Sequence, residues 1–413
     1  MENDRFRRRS FKSVFLKSTV MSMPAKEYDA AVIGAGLVGA AIAYGLARAG
    51  LRIAVLDEGD DVHRPSCGNF GLVWVQGKGV GRPEYARWSR ESSQRWFDLN
   101  ASLTADCGVD PDYRRPGGIT PALSEDELCA LKTTLERVRQ ESDEAGFDFE
   151  ILDAARIRTL LPACGPEVVG GAWSPYDGHV DPLRLLRALH ASLAFRRAEV
   201  RTESRVQTIV PLPGGGFEIA LDPRKGSILG RGRAIERLQA ERVVIAAGHG
   251  SKALGSMVGI EMPVFPEHGQ ILVTERSAPL LDYPTLSVRQ SAEGSVFLGG
   301  SKADRGFDIS APVRTGRDIA RRSLRIFPCL GGLRIVRSWG ALRVMTQDGF
   351  PIYAASEGCP GAFAFACHSA VTLAANHAFE ASRWVERKTI PLKMACFSPD
   401  RFRPRQGDVQ KTA

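Results

Sequence analysis

No two cysteines in the chain stand as a Cys-x-x-Cys pair, although eight are present (Cys67, Cys107, Cys129, Cys164, Cys329, Cys359, Cys367 and Cys396). Their scatter argues for reduced thiols rather than a disulfide frame or a zinc site, and so for a cytoplasmic location. Cys359 and Cys367 lie close, but a spacing of eight matches no metal motif; they read as small buried residues. No apolar run is long and unbroken enough to cross a membrane. The longest, Ala30–Ala47, is dotted with glycines, so peripheral membrane association is the most to be expected. No Ser/His/Asp triad stands out. No stripe of basic and aromatic residues suggests nucleic acid. Charge excess is also scarce outside one segment. Of the net +8, half sits in residues 1–27, which hold seven Lys/Arg against three acids. That basic tail lacks the apolar core of a secretory signal. With Met21 and Met23 as later starts, it is expected to be a disordered arm or a stretch ahead of the true start.

What remains is an ordinary globular chain of 413 residues, 44% hydrophobic and 25% charged. That suffices for one large domain or two intergrown ones.

Ala30–Ile33 reads as a buried strand. Gly34–Ala35–Gly36–Leu37–Val38–Gly39 follows at once, then a helical run Ala40–Ala49. Gly50 ends the helix, and Leu51–Leu56 reads as a second strand with Asp57 and Glu58 at its end. This order is the dinucleotide fingerprint. Glycines at 34, 36 and 39 permit a tight turn close to a diphosphate. The helix start offers free N–H groups to phosphate, and an acid at the second strand's end suits a ribose hydroxyl. The fingerprint does not separate NAD from FAD, although Asp57 without an adjacent basic residue argues against NADP.

A third strand, Arg242–Ile245, ends in Ala246–Ala247–Gly248 and follows a glycine turn, Gly214–Gly216, and a short strand, Phe217–Leu221. This resembles the late segment of flavoproteins whose strand and Ala-Gly turn pass the FAD diphosphate. Further stretches carry a more specific resemblance: Ser66–Gly71, Asp177–Pro182, Arg205–Val206, Trp339–Arg343 with Thr346–Pro351, and Phe397–Phe402. Through them, over residues 28–403, the chain resembles the D-amino-acid oxidase family of FAD enzymes. Gly68–Gly79 and Cys367–Ala374 are similar to one branch, the β-type subunits of D-hydroxyproline dehydrogenase, opine oxidase and hydrogen cyanide synthase.

The resemblance implies an α/β fold in which an FAD-binding Rossmann-like domain carries an inserted α+β substrate domain built on an antiparallel sheet. The cofactor domain is expected over 28–80, 145–260 and 335–403, the substrate domain over 81–144 and 261–334. The basic stretch Pro223–Ala234 is expected to be an exposed loop, and 404–413 a tail. FAD is expected to be noncovalent, because Ala341 and Leu342 stand where some relatives carry an attaching cysteine. Its expected contacts are Gly34, Ala35, Gly36, Val38, Gly39, Asp57, Glu58, Ser66, Asn69, Phe70, Gly71, Val206, Ala247, Gly248, Arg343, Ser369, Val371 and Thr372.

The implied reaction is hydride transfer from the carbon beside an amine nitrogen in a small amino acid, such as a D-proline-like compound, an opine or an N-alkyl glycine. Flavin accepts the hydride, so little acid–base machinery is needed. A carboxylate substrate wants a fixed cation. Arg343 matches the family's carboxylate-holding arginine; its alternative is an ion pair with Asp348 or another acid. His368, His268, Arg289 and Gln290 are further candidates to line the substrate pocket. Each has a plain structural alternative: packing, capping or an exposed strand face. Electrons are expected to pass to a carrier or partner subunit. An oxygen-using oxidase and a flavin-holding subunit active only in a complex stay open, and a flavin monooxygenase ranks below them.

Overall fold

Continuous apolar strands build the centre of the molecule. In a computed structural model that describes residues 26–59, 65–142, 147–222 and 235–403, strand Lys26–Ile33 pairs in parallel with Ile53–Leu56 on one side and Glu236–Ile245 on the other. Glu199–Arg201 extends the sheet beyond 53–56, and Ala362–Ala366 beyond 236–245, both in parallel. Ile352–Ala355, Phe217–Leu221 and Val206–Pro211 add antiparallel partners, making eight strands. Most of the basic tail, the stretch Pro223–Ala234 and the tail 404–413 lie outside the described residues. The first strand begins at Lys26, two residues inside the expected tail.

Alternate residues of the first strand serve two cores, as period-two side chains must. Ala30 and Val32 pack in one cluster, Ala31 and Ile33 in the other. On the first face lies helix Leu37–Arg48, whose ten buried residues cover nearly its whole circumference. Helix Pro182–Phe195 joins it, capped by Asp181, whose Oδ1 accepts from the N–H groups of Leu183 and Arg184 at 2.9 Å. An N-terminal proline and an Asp cap start a helix as the sequence suggests.

A second body of structure rests on a four-stranded antiparallel sheet in the order Val288–Gln290, Ser295–Leu298, Phe265–Arg276, Ile335–Met345. Helix Val313–Ile326 covers one of its faces, with Gly316 against Gln270 and Leu272.

The expected segment boundaries need three corrections. Helix Pro83–Cys107, assigned to the substrate domain, packs Trp88, Trp96, Leu99 and Leu103 into the core of the eight-stranded sheet. Residues 150–174, assigned to the cofactor domain, form a three-stranded sheet with Gly118–Ala122 and share a core with Leu272, Val288 and Leu298. Strand Ile335–Met345 belongs to the four-stranded sheet, not to the cofactor domain's sheet. In each case a long-range apolar contact decides, which local periodicity does not encode.

Candidate active site

The glycine turn is held from several sides. Gly34 sits at φ +102°, and a Cβ there would fall 2.4 Å from the Ala246 carbonyl oxygen. Only glycine fits that backbone. The Asp57 carboxylate accepts from Ala35 N at 2.7 Å and from Gly59 N at 3.0 Å. Ser66 Oγ accepts from Leu37 N at 3.0 Å, at the start of the helix. His190, not expected from sequence, meets the Ala35 carbonyl at 2.8 Å. Asp57 is thus buried and braces the turn, whereas the Glu58 side chain is 51% exposed.

The C-terminal ends of four neighbouring parallel strands lie in a row: Leu56, Ile33, Ile245 and Ala366. With strands about 4.8 Å apart, that row spans roughly 14 Å. A cavity of about 510 Å³ follows this edge. Glu58, Arg205 and Val206 line it beside the second strand, Gly34, Gly36, Ala247 and Gly248 in the middle, and Arg343, Cys367 and His368 at the far strand. Val38, Asp57 and Ser66 also line it. Open parallel sheets bind ligands at this carboxyl edge. His249 and Cys367 are lining residues that sequence reasoning missed.

Alternation along the four-stranded sheet sorts the remaining candidates. Arg343 pairs in register with Glu267, and its neighbour Leu342 with His268. Arg343 and Glu267 therefore share the cavity face, and His268 points the other way. His268 is 1% exposed and its Nε2 meets the Ser310 carbonyl at 2.9 Å. It is removed from the pocket by one residue of register. Arg343 Nη1 lies 3.1 Å from Glu267 Oε1, and Nη2 donates to the Ser301 carbonyl at 3.0 Å. Gly269 makes room: a Cβ there would strike the guanidinium at 2.6 Å. The other acid considered, Asp348, pairs instead with Arg401.

Gln290 also leaves the pocket. Its Oε1 accepts from Leu280 N at 2.7 Å, and its Nε2 donates to the Ala278 and Gly294 carbonyls. These bonds fasten the loops around 277–294. Arg289 points to the opposite face and is fully buried. Its Nε donates to the Phe70 carbonyl, and its guanidinium lies 4.1 Å over the Phe297 ring and 5.7 Å over Phe70. Burial pulls its pKa down to about 10. Arg289 pins the loop through Asn69, Phe70 and Gly71 to the sheet. Asn69 closes that loop by accepting from Gly71 N at 2.7 Å.

Next to His368 the structure assembles a cluster from distant parts of the chain. Lys78 Nζ donates to Ser369 Oγ at 2.7 Å and to Thr372 Oγ1 at 3.1 Å. Tyr85 also donates to Ser369 Oγ, at 2.8 Å, and His368 Nε2 lies 3.2 Å from it. Val371 is buried in the core and Thr372 accepts from Trp74 N, so both support this corner from behind. Asp177 accepts from Val75 N and from Gln76 Nε2. Burial lifts its pKa to about 7 despite those bonds. Burial also pulls Lys78 down to about 8. For His368, burial comes first and the positive charges of Lys78, Arg343 and Lys302 add to it, giving about 3. His368 is therefore a neutral imidazole at any working pH.

Residues 29–384 match the model of the DAO family, described as FAD dependent oxidoreductase. The chain belongs to that family. One of the subunits of opine oxidase from Agrobacterium tumefaciens (strain Ach5) is 42% identical over 381 residues, covering 92% of this chain and 99% of that relative. Hydrogen cyanide synthase subunit HcnC of Pseudomonas aeruginosa is 25% identical, covering 94% and 99%. Among solved structures, glycine oxidase from Geobacillus kaustophilus shares the fold, with a TM-score of 0.80 over 90% of this chain and 98% of that one, at 24% identity. FAD is thus the cofactor of this oxidoreductase. The cavity's course across four strand ends and the glycine turn beneath it suit an extended dinucleotide. Among the described residues no helix is long and apolar enough to cross a membrane.

Proposed function

We propose that this flavoprotein oxidises the C–N bond of a small amino acid or N-substituted amino acid and passes the electrons to a carrier or partner subunit. The observation that carries the reading is the meeting of Arg343 and His368 at one end of the cavity, with the dinucleotide turn further along the same edge.

In this reading Glu58 receives ribose hydroxyls, Val206 borders the adenine, and the 34–39 turn with Ser66, Ala247 and Gly248 borders the diphosphate. FAD, when bound, supplies the hydride acceptor. Arg343 holds the substrate carboxylate through the N–H groups that Glu267 and Ser301 leave free. His368 stays neutral and so adds no positive charge beside the substrate nitrogen, which must be uncharged to react. Substrate held at Arg343 has its reacting carbon positioned by the cavity walls. Two relatives that cover nearly the whole chain are named as subunits, which supports work within a complex. Eight free thiols favour a reducing compartment, in keeping with the cytoplasm.

The test is an anaerobic mix of the purified yellow protein with D-proline, cis-4-hydroxy-D-proline, sarcosine, glycine, D-alanine and an opine. Bleaching of the visible flavin absorbance by one of them is expected. Repetition in air separates oxidase from dehydrogenase. A protein that holds FAD yet is bleached by none of them, with or without its partner subunits, sinks the amine reading.

A further inference from the structure

We propose that helix Val313–Ile326, together with the strand start at 334–337 beside it, is a docking surface for an acidic face of a second protein. This deepens the partner-subunit reading above and rests on it.

The argument starts from where the charge lies. Half of the net +8 sits in residues 1–27, and this one helix, with five arginines and one aspartate, holds the other half. The remainder of the chain balances to zero. Gly316, Ile319, Ser323 and Ile326 are the buried residues of the helix. Helical spacing puts Arg314, Arg317, Arg321 and Arg325 in one stripe on the opposite face. For the chain alone that arrangement is unfavourable twice over. Like charges three and four residues apart repel. Arg314 also stands in the first turn, where the helix dipole favours acids and none is present. Two arginines are answered from within, Arg322 by Glu127 and Arg325 by Glu167. Arg317 meets only its neighbour Asp318. Arg314, Arg321, Arg334 and Arg337 are exposed and make no ion pair among the described residues.

Apolar groups stand among these charges. Val313 is 88% exposed, Ile335 49% and Val336 63%. A Cβ at Gly331 would lie 3.6 Å from Leu324 Cδ2, so the end of the helix and the start of the strand adjoin. The strand Ile335–Met345 is the edge of its sheet. Its pairing skips Val336, since Arg337 faces Val273 and Ile335 faces Thr274. A bulge of that kind discourages the addition of another strand, so a partner meets this surface through side chains. Exposed aliphatic groups set among arginines are the composition of a protein interface.

The arginines also say what kind of partner fits. Residues 313–337 hold seven arginines and no lysine. Protein interfaces favour arginine, whose planar fork pairs with carboxylates, and disfavour lysine. An anionic lipid surface attracts both alike. The chain's own stretches 1–25, 223–234 and 404–413 are each net basic, so none of them complements the patch. Val336 stands seven residues before Arg343 on one strand, roughly 24 Å along it. The surface therefore serves assembly and leaves the reacting end of the cavity free.

The experiment uses the full-length FAD-loaded chain in its own cells, carrying the photo-crosslinker p-benzoylphenylalanine at Val313, at Val336 or, as a control at an exposed site outside the patch, at Leu392. The first two are expected to cross-link one and the same other protein, through a peptide of net negative charge identified by mass spectrometry; Leu392 is expected not to. Arg314→Glu with Arg321→Glu is expected to cut co-purification of that protein about tenfold, while FAD content, melting temperature and anaerobic bleaching by substrate stay at parent values. Reversing acids of the cross-linked peptide to arginine is expected to restore capture by the double variant. A neutral or basic peptide, capture that the double variant leaves intact, or cross-links to a second copy of the chain each overturn the proposal. Sedimentation with phosphatidylglycerol vesicles in the absence of any protein cross-link overturns it in favour of a lipid contact. If a partner co-purifies but cross-links only away from 313–337, this surface fails and the partner reading stands. If no protein co-purifies in stoichiometric amount, both fail.

Discussion

Arg343 and Glu267 face each other across neighbouring antiparallel strands, with Nη1 and Oε1 3.1 Å apart. The arginine proposed to receive a substrate carboxylate therefore already holds one from the protein. Side chains 32% and 22% exposed keep the pair out of the core, and Arg343 lines the cavity. Glu267 offsets part of the cost of burying the guanidinium and, with the His268 and Ser301 carbonyls, fixes its orientation. Burial lowers the Arg343 pKa, which Glu267 opposes, so the group stays cationic.

Replacing Arg343 by alanine is expected to leave FAD bound and to raise KM for a carboxylate substrate. The rise should equal about 2–5 kcal/mol, the usual range for losing one partner of a buried charge pair. Steady-state kinetics beside the flavin spectrum measure both quantities. Unchanged kinetics would take Arg343 out of the site.

Gly34→Ala tests the cofactor cradle itself. The φ of +102° disfavours any side chain, and the new Cβ would overlap the Ala246 backbone. The purified variant is expected to have lost most of its FAD. A full complement of FAD per chain would show that the turn does not limit binding.

The cofactor half was legible because its signals are local. A strand, a glycine turn, a helix and an acid follow one another within thirty residues, and the structure keeps that order. The substrate half was less so. There, one residue of register decides which face a side chain takes: Glu267 shares the face of Arg343, which lines the cavity, and His268 between Glu267 and Gly269 does not. The same parity separates Arg289 from Gln290. The Lys78 corner was not legible at all, since its partners stand 291 and 294 positions away. A lysine flanked by glycines after an apolar run, Gly77–Lys78–Gly79, was the one available hint.

Arg289→Lys separates a loop tie from a substrate contact. Lysine keeps the charge but loses the planar fork that stacks on Phe297 while bonding the Phe70 carbonyl. Leaving that buried acceptor poorly satisfied costs about 1–3 kcal/mol. A lower melting temperature and weaker FAD retention are expected, because the loop also carries Ser66 against the dinucleotide helix. A raised KM at unchanged melting temperature would instead place Arg289 on the substrate.

Acid sensitivity follows from the buried histidines. His377 is fully buried, with Nε2 3.0 Å from the Tyr353 hydroxyl, and burial pulls its pKa from 6.5 down to about 3. The folded chain keeps it neutral while the unfolded chain takes up a proton near pH 6.5. Between those two values the unfolded state binds more protons, so stability falls as pH falls. His179 and His368 act in the same direction, with pKa values also pulled down to about 3. His377→Gln removes one of these titrations and still offers Tyr353 a polar partner. The variant is expected to melt below the parent at pH 8, and the gap is expected to narrow as pH drops through 6.5 toward 5. Melting curves at those three pH values measure it. A gap that stays constant would mean that His377 carries none of the acid sensitivity.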